Sequence, residues 1–488
     1  MDLRYNVIQW VHRSTRGWSY GLGVVDPRTG EIIKGHVTLG SLRVRQDHMI
    51  AEGLLAPYET GKPASPRMRE LALARLRQLA AHEVGHTLGL QHNYSASTVN
   101  RSSVMDYPPP VATIAPDGTI DVTHAYATGI GDWDKTAITF GYSEFPPGTD
   151  ERAALDRILD TAWKRGQRYL TDQDARPAGS SSTLAHLWDS GDNAIDELDR
   201  LMHLRDTALR RFGERVIPVG APLSRIEDAL TPIYMLHRYQ VEAACKFVGG
   251  LDYTHAIRGD GQPPPRIVSP AEQRRALDAV LATLRPETLA LPDSLISILP
   301  PRPPDHDRGR EHFRVHTSPA FDALAPAEAA ARHTLQFLFN AERSARLVEF
   351  HARDAANPGL EDVLDRIIQQ TWKRSRTTGY GAEIARVVDD VVLDDLMRLS
   401  IDETASYQVR AIASFKLEEL KNWITNAATA GLDGAARAHL FSAGSRIALF
   451  QREPSTFVPK EPVAAPDGPP IGGTGCMLDT DDLAGFEP

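Results

Sequence analysis

Three histidines and a glutamate at fixed spacing form the most distinctive chemical pattern in the sequence, in the stretch HEVGHTLGLQH. On a helix, residues four positions apart point in nearly the same direction, so His82 and His86 can bind one cation. His92 reaches the same cation only if the chain turns back, and Gly89 is a residue that can adopt the positive φ that ends a helix. Glu83 lies beside both helical histidines. The spacing predicts one metal site with an adjacent carboxylate.

Three neutral imidazoles leave a tetrahedral zinc ion with one open position, at which bound water becomes acidic near neutral pH. A carboxylate next to that water can accept its proton and later pass it to a leaving amine, and this is the role predicted for Glu83. The predicted chemistry is amide hydrolysis that depends on one catalytic Zn²⁺ ion. A core helix with incidental histidines is the alternative without chemistry.

Together with a second motif downstream, this stretch resembles the metzincin clan of zinc peptidases. That clan carries HExxHxxGxxH followed by a methionine turn, and here the run SVMDY follows His92. The resemblance implies that the three histidines are the zinc ligands, that Glu83 is the general base and that Met105 forms the apolar floor beneath the metal. Tyr107 matches the tyrosine of astacin-like and serralysin-like members, which can bind zinc at rest and then stabilise the oxyanion.

The likeness extends over about Asp2 to Glu453, because the later segments YLTDQDARPAG and LHRYQVEAACKFVGG resemble a bacterial metzincin family with a large helical C-terminal region. Clan catalytic domains usually begin with a strand, a long helix and a second strand before the strand that Tyr5 to Val11 resembles. We therefore expect an N-terminally truncated member. Longer members carry an export signal, which implies a periplasmic or secreted location for a full-length relative, whereas MDLRYNVIQWVHR lacks signal-peptide features and leaves the location of this chain unknown.

The elements that position the motif are predicted from residue type and periodicity. β-branched and aromatic runs predict strands at Tyr5 to Val11, Ser19 to Val25 and Ile32 to Leu39, the last two forming a hairpin. Helix-compatible spacing predicts an active-site helix from Pro66 to Leu88 and a closing helix from Gly131 to Tyr142. The resemblance further implies that the strand from Trp18 to Val25 is an edge strand that holds a polypeptide substrate extended.

The remainder of the chain is mostly helical in pattern. Helices are predicted at Glu151 to Leu170, Ala194 to Phe212, Ile226 to Val248, Pro270 to Leu284, Pro326 to Arg353, Leu360 to Lys373, Glu383 to Leu399, Glu403 to Ala428 and Gly434 to Gln451. The predicted fold class is α+β, with a metzincin-like catalytic domain of mixed twisted sheet and active-site helix (1–148), followed by a large α-helical domain (149–454). Residues 455–488 are predicted to form a disordered tail.

Composition excludes several classes of function. The formal net charge of −10 argues against a nucleic-acid binder, which needs a surplus of basic residues. The absence of an apolar run of about 18 residues argues against a membrane span. Two cysteines far apart, Cys245 and Cys476, define no disulfide framework. The oligomeric state is not specified by the sequence.

Other polar clusters are predicted to have structural roles. Asp172, Asp174 and Arg176 could line the cleft or bind Ca²⁺, but a solvated, capped loop is the favoured interpretation. Four carboxylates, at Asp389, Asp390, Asp394 and Asp395, are predicted to form the solvated face of a helix.

Three functions follow from these observations. The main hypothesis is a zinc-dependent endopeptidase. The first alternative is a non-catalytic helical interaction protein that carries a truncated, relic zinc site. The second is a zinc hydrolase that acts on a small amide or ester.

Overall fold

The computed structural model describes residues 2–12, 19–375, 378–427 and 432–457. The chain folds into two compact units. The first contains residues up to 176 and 184–233, and the second contains 177–183 and the described residues from 234 onward. Most of the predicted tail, and Trp18 of the predicted edge strand, lie outside the described residues.

A three-stranded mixed sheet opens the first unit, and its strands are β1 (Val7–Val11), β2 (Tyr20–Val25) and β3 (Ile32–Gly40). The strand order is β1-β3-β2, with β1 parallel and β2 antiparallel to β3. Gly30 in the connecting turn has a φ of 77°, which favours glycine. The predicted strand and hairpin are confirmed, and β2 lies at an edge of this sheet as the described residues form it.

A helix that the sequence patterns did not predict, α1 (Leu42–Leu55), follows the sheet. Its polar residues Gln46 and Asp47 are buried. The carboxylate of Asp47 accepts a hydrogen bond from the Tyr126 hydroxyl at 2.7 Å. Because polar side chains occupy buried positions, α1 lacks the continuous apolar stripe by which an amphipathic helix is recognised.

The active-site helix α2 (Arg67–Thr87) confirms the helix predicted from Pro66 to Leu88. Leu79 of α2 packs against Val37 and Leu39 of β3 in one buried cluster. Val37 and Leu39 are two residues apart, so both side chains face the same side of the strand. Burial of each such side chain contributes about 2 kcal/mol, and these contacts hold the helix on the sheet.

The remaining elements of the first unit are a short hairpin and further helices. They are β4 (Thr113–Ile114), β5 (Ile120–Asp121), α3 (Asp132–Tyr142), α4 (Glu151–Lys164), α5 (Asp172–Ala175), α6 (Ala194–Leu209) and α7 (Ile226–Tyr234), the last residue of which groups with the second unit. The helix α3 confirms the predicted closing helix.

The second unit is mostly helical. Its elements are α8 (Arg238–Cys245), β6 (Leu251–Asp252), β7 (Arg266–Ile267), α9 (Pro270–Ala282), α10 (Pro286–Leu289), α11 (Asp293–Ile296), α12 (Ala325–Leu338), α13 (Ala341–Arg353), α14 (Leu360–Gln370), α15 (Tyr380–Ile401), α16 (Tyr407–Ala427) and α17 (Gly434–Arg452). The single helix predicted over 326–353 is wrong, because the side chain of Asn340 caps α13 by accepting the N–H of Arg343 at 2.9 Å. The helix predicted over 226–248 is likewise interrupted after Tyr234.

The prediction of a solvated acidic face on α15 is wrong for three of its four carboxylates. The buried residues are Asp389, Asp394 and Asp395. Asp389 pairs with Arg374, which follows α14, at 2.7 Å, and Asp394 pairs with Arg332 of α12 at 3.4 Å. A charge that forms such pairs can be buried, and a run of acidic letters does not reveal partners that lie on another element.

The α+β fold class is confirmed. The predicted domain boundaries stay a prediction, although residues 149–176 and 184–233 group with the first unit in the structure. Among the described residues, no helix is both long enough and apolar enough to cross a membrane.

Candidate metal centre

The Nε2 atoms of three histidines converge where α2 ends. His86 Nε2 lies 3.1 Å from His82 Nε2 and 3.2 Å from His92 Nε2. One ligand atom of each histidine lies within 4.8 Å of those of the other two. Zinc–nitrogen bonds of about 2.0–2.1 Å in a tetrahedral site place the nitrogens roughly 3.3 Å apart. The structure therefore brings the three predicted ligands together at a spacing that suits one zinc ion.

The opposite nitrogen of each ring faces an oxygen acceptor. The Nδ1 partners are the Val104 carbonyl for His82 at 2.7 Å, the Leu90 carbonyl for His86 at 2.9 Å and the Asp172 carboxylate for His92 at 2.8 Å. Neither a carbonyl nor an ionised carboxylate can donate, so Nδ1 carries the proton in each neutral ring. Each Nε2 then presents a lone pair, and three converging lone pairs fit a cation between them.

Burial keeps these imidazoles neutral in the metal-free protein. Desolvation lowers the pKa of His82 well below its ordinary value, and the neighbouring histidines lower it further. Burial and the nearby His92 lower the pKa of His86 to about 4. For His92, burial lowers the pKa although the hydrogen bond to Asp172 opposes the shift. The neutral ring is the form that binds a divalent metal.

The turn after α2 explains how His92 reaches the other two ligands. Gly89 has a φ of 82°, in the left-handed region that favours glycine. Its N–H donates to the His86 carbonyl at 3.0 Å, and the N–H of Leu90 donates to the Gly85 carbonyl at 3.1 Å. This pair of bonds is a Schellman motif, which ends the helix and reverses the chain direction.

Met105 packs directly beneath this turn and is almost fully buried. A Cβ placed on Gly85 would lie 2.3 Å from the Met105 sulfur, so the helix needs glycine there for the methionine to fit. The Met105 carbonyl accepts the N–H of Asn93 at 3.1 Å, one residue after His92. Met105 thus supports both the helical part and the loop part of the ligand set.

The first turn of α3 fixes the segment that carries Met105. The buried Asp134 carboxylate accepts the Ser103 hydroxyl at 2.6 Å, the Val104 N–H at 2.8 Å and the Gly131 N–H at 2.6 Å. Val104 in turn supplies the carbonyl that accepts from His82. Asp134 therefore orients the predicted ligand His82 through Val104.

Tyr107 lies against the ligand rings and is buried. Its ring centroid is 5.4 Å from that of His82 and 4.9 Å from that of His92. Trp188 packs on Tyr107 with ring centroids 4.9 Å apart, and its backbone N–H donates to the Tyr107 carbonyl at 3.0 Å. The phenol predicted from the resemblance is thus held beside two of the three ligands.

Glu83 follows His82 in α2 and is fully buried. The strand β2 crosses the helix at this residue, because a Cβ placed on Gly21 would lie 1.9 Å from the Glu83 carbonyl oxygen. Gly21 of the edge strand therefore lies directly against the backbone of Glu83.

Comparison with known proteins now decides the family. A family model described as Met-zincin matches residues 64–379, which is more than half of the chain. The chain belongs to the Met-zincin family. No curated protein and no solved structure matches it. Membership places this Met-zincin among the metallopeptidases, and the family implies that the metal is zinc. The cluster of three histidines can hold such an ion.

The matched range of this Met-zincin includes residues 172–176, which the sequence analysis interpreted as a solvated, capped loop. That interpretation is wrong for Asp172. Asp174 does cap the short helix α5, since its carboxylate accepts the Thr171 N–H at 3.0 Å. Asp172, however, is not part of a solvated loop, because it accepts from His92 and pairs with Arg176. Its partner His92 lies 80 positions earlier, so no local pattern could have shown the contact.

Asp172 is ionised in this setting. Burial works against ionisation, but the hydrogen bond from His92 and the charge of Arg176 outweigh it and hold the pKa of Asp172 well below its ordinary value. Arg176 also donates to the Tyr94 hydroxyl at 2.7 Å and to the Tyr107 hydroxyl at 3.3 Å. Sequence reasoning missed Tyr94 as well, although it lies only two residues after a predicted ligand.

A cavity of about 1250 Å³ in the first unit does not contain the metal ligands. Its walls include Val84 and Leu88, each two positions after a helical histidine. Two positions correspond to about 200° around a helix, so these two walls point away from His82 and His86. This cavity therefore does not mark the candidate metal centre of this Met-zincin, which is defined by the geometry of the three histidines.

Proposed function

We propose that this protein is a zinc-dependent endopeptidase that hydrolyses peptide bonds in extended polypeptides. The observation that carries the proposal is the convergence of three Nε2 atoms, each on a ring that Nδ1 orients through a hydrogen bond, in a helix where Glu83 directly follows His82. Such a donor set is suited to one zinc ion. When bound, zinc supplies a Lewis acid that makes water acidic and polarises a carbonyl group.

The side chains of the chain then perform the proton transfers. Glu83 accepts the proton of the attacking water and returns it to the leaving amine, as its position next to His82 in α2 allows. Tyr107 donates a hydrogen bond to the developing oxyanion, a role supported by the packing of its ring against His82 and His92.

The substrate in this proposal lies along β2. An edge strand offers unpaired main-chain groups with which an extended peptide can form additional strand pairing. Two observations support this position, namely that β2 is at the sheet edge and that Gly21 of β2 contacts the backbone of Glu83. A peptide paired with β2 is thereby directed toward the predicted base.

The test compares zinc-loaded wild type with Glu83→Ala on an unstructured protein substrate, with fragments identified by mass. We expect internal cleavage by wild type and a loss of at least about 100-fold in Glu83→Ala, with zinc content unchanged. Glu70→Ala is the matched control, because Glu70 is an exposed glutamate of the same helix. It should cleave like wild type.

Three results would contradict the proposal. Zinc-loaded Glu83→Ala that cleaves as fast as wild type would exclude the mechanism. Zinc binding without cleavage of any peptide would favour an interaction protein with a relic site. Hydrolysis of small amides or esters, without cleavage of peptides, would favour a zinc hydrolase that acts on small molecules.

A further inference from the structure

Two charged residues of one short segment reach the metal centre from far along the chain. Asp172 begins α5, and Arg176 follows its last residue. Both side chains are mostly buried, with exposed fractions of 23% and 18%, and they form an ion pair with each other. Neither residue belongs to the histidine motif or to the methionine turn.

Asp172 gives His92 a partner unlike those of the other two ligands. His82 and His86 donate to neutral carbonyl groups, whereas His92 donates to a carboxylate at 2.8 Å. A carboxylate fixes the tautomer and ring angle more firmly than a carbonyl does, and it makes the other ring nitrogen a stronger metal ligand. His92 also lies on a loop rather than in α2, so its orientation depends more on such a partner.

Arg176 connects this carboxylate to the two phenols. Its guanidinium donates to Asp172, to the Tyr94 hydroxyl at 2.7 Å and to the Tyr107 hydroxyl at 3.3 Å. The planar fork of arginine can satisfy several acceptors in a fixed geometry, which lysine cannot do. The position of the Tyr107 hydroxyl is therefore coupled to the same ion pair that orients His92.

We propose that Asp172 and Arg176 are positioning residues of the metal centre, with Asp172 orienting the ligand His92 and Arg176 holding both Asp172 and the hydroxyl of Tyr107. The part that concerns Tyr107 rests on the peptidase function proposed above. The part that concerns His92 rests only on metal binding.

The first experiment measures zinc affinity by competition with a chelator. Asp172→Asn keeps the shape of the side chain and removes its charge. We expect this variant to bind zinc at least about tenfold more weakly than wild type. Asp174→Asn is the matched control, because Asp174 lies on the same turn but accepts from the Thr171 N–H instead of a ligand. Its zinc affinity is expected to equal that of wild type. The visible spectrum of the Co²⁺-loaded protein should change in Asp172→Asn alone.

An unchanged affinity in Asp172→Asn would overturn the assignment. So would an equal loss in both variants, because it would show that the stability of α5, and not the contact with His92, controls binding. Both results are obtained without any cleavage assay. If the protein binds zinc but cleaves no peptide, the peptidase proposal fails, and the zinc affinities of the two variants still test the role of Asp172.

The second experiment separates kcat from KM in Arg176→Gln. We expect kcat to fall about tenfold with KM unchanged, because a displaced Tyr107 hydroxyl affects the reaction and not substrate capture. Arg168→Gln is the control, since the guanidinium of Arg168 stacks on Trp163 and donates to the backbone carbonyls of Trp163 and Gln167. A rise in KM with kcat unchanged would show that Arg176 binds substrate directly and would overturn its positioning role.

Discussion

Replacement of Gly21 by alanine tests whether β2 rests directly on the active-site helix. The added Cβ would lie 1.9 Å from the Glu83 carbonyl oxygen and 2.8 Å from its carbonyl carbon. Real Cβ atoms essentially never approach another atom closer than 3.0 Å. The obstructing atoms belong to helical backbone and cannot rotate away. Either β2 or α2 must therefore shift by about 1 Å.

Gly23 offers a matched comparison on the same strand. A Cβ at Gly23 would lie 3.4 Å from the nearest atom, a methyl group of Ile32, which is ordinary contact. Overpacking of a core costs about 1–3 kcal/mol, whereas glycine to alanine at a compatible position stabilises by about 0.4–1 kcal/mol. We therefore expect Gly21→Ala to be about 1.5–4 kcal/mol less stable than Gly23→Ala.

The assay is urea denaturation of the two metal-free variants and of wild type, with the free energy of unfolding extrapolated to water. Because the two variants add the same group to the same strand, effects of alanine on the unfolded chain cancel in the comparison. Equal stability of the two variants would refute the contact between β2 and Glu83.

Two further predictions concern other buried carboxylates. Burial raises the pKa of Asp395 to about 7, so the folded state retains a proton that the unfolded chain loses near pH 4. The free energy of unfolding should therefore fall by roughly 4 kcal/mol between pH 4 and pH 7. Denaturation measured across this pH range should show the loss in wild type and in Asp390→Asn but not in Asp395→Asn. Asp134→Ala leaves three donors without their acceptor and should cost about 3 kcal/mol or more, whereas the exposed Asp132→Ala should cost less than about 1 kcal/mol. Similar thermal midpoints for Asp134→Ala and Asp132→Ala would contradict the second prediction.

Local patterns predicted the elements whose signals are themselves local. β-branched and aromatic runs gave the strands, and helical spacing gave α2, whose Leu79 packs against β3. The same reasoning missed α1, because buried Gln46 and Asp47 interrupt its apolar stripe. It also joined α12 to α13, since periodicity continues across Asn340 while the capping side chain breaks the helix there.

The sequence by itself determined the candidate ligand set, because the separation of His82 from His86 on a helix and the turn at Gly89 depend on only eleven consecutive residues. Tertiary structure alone decided what surrounds those ligands. The contacts of Asp172 with His92, of Arg176 with Tyr107 and of Gly21 with Glu83 join segments that are distant in the chain. Long-range contacts leave no periodic trace in a sequence, because each arises from how whole elements pack and not from the spacing of neighbours.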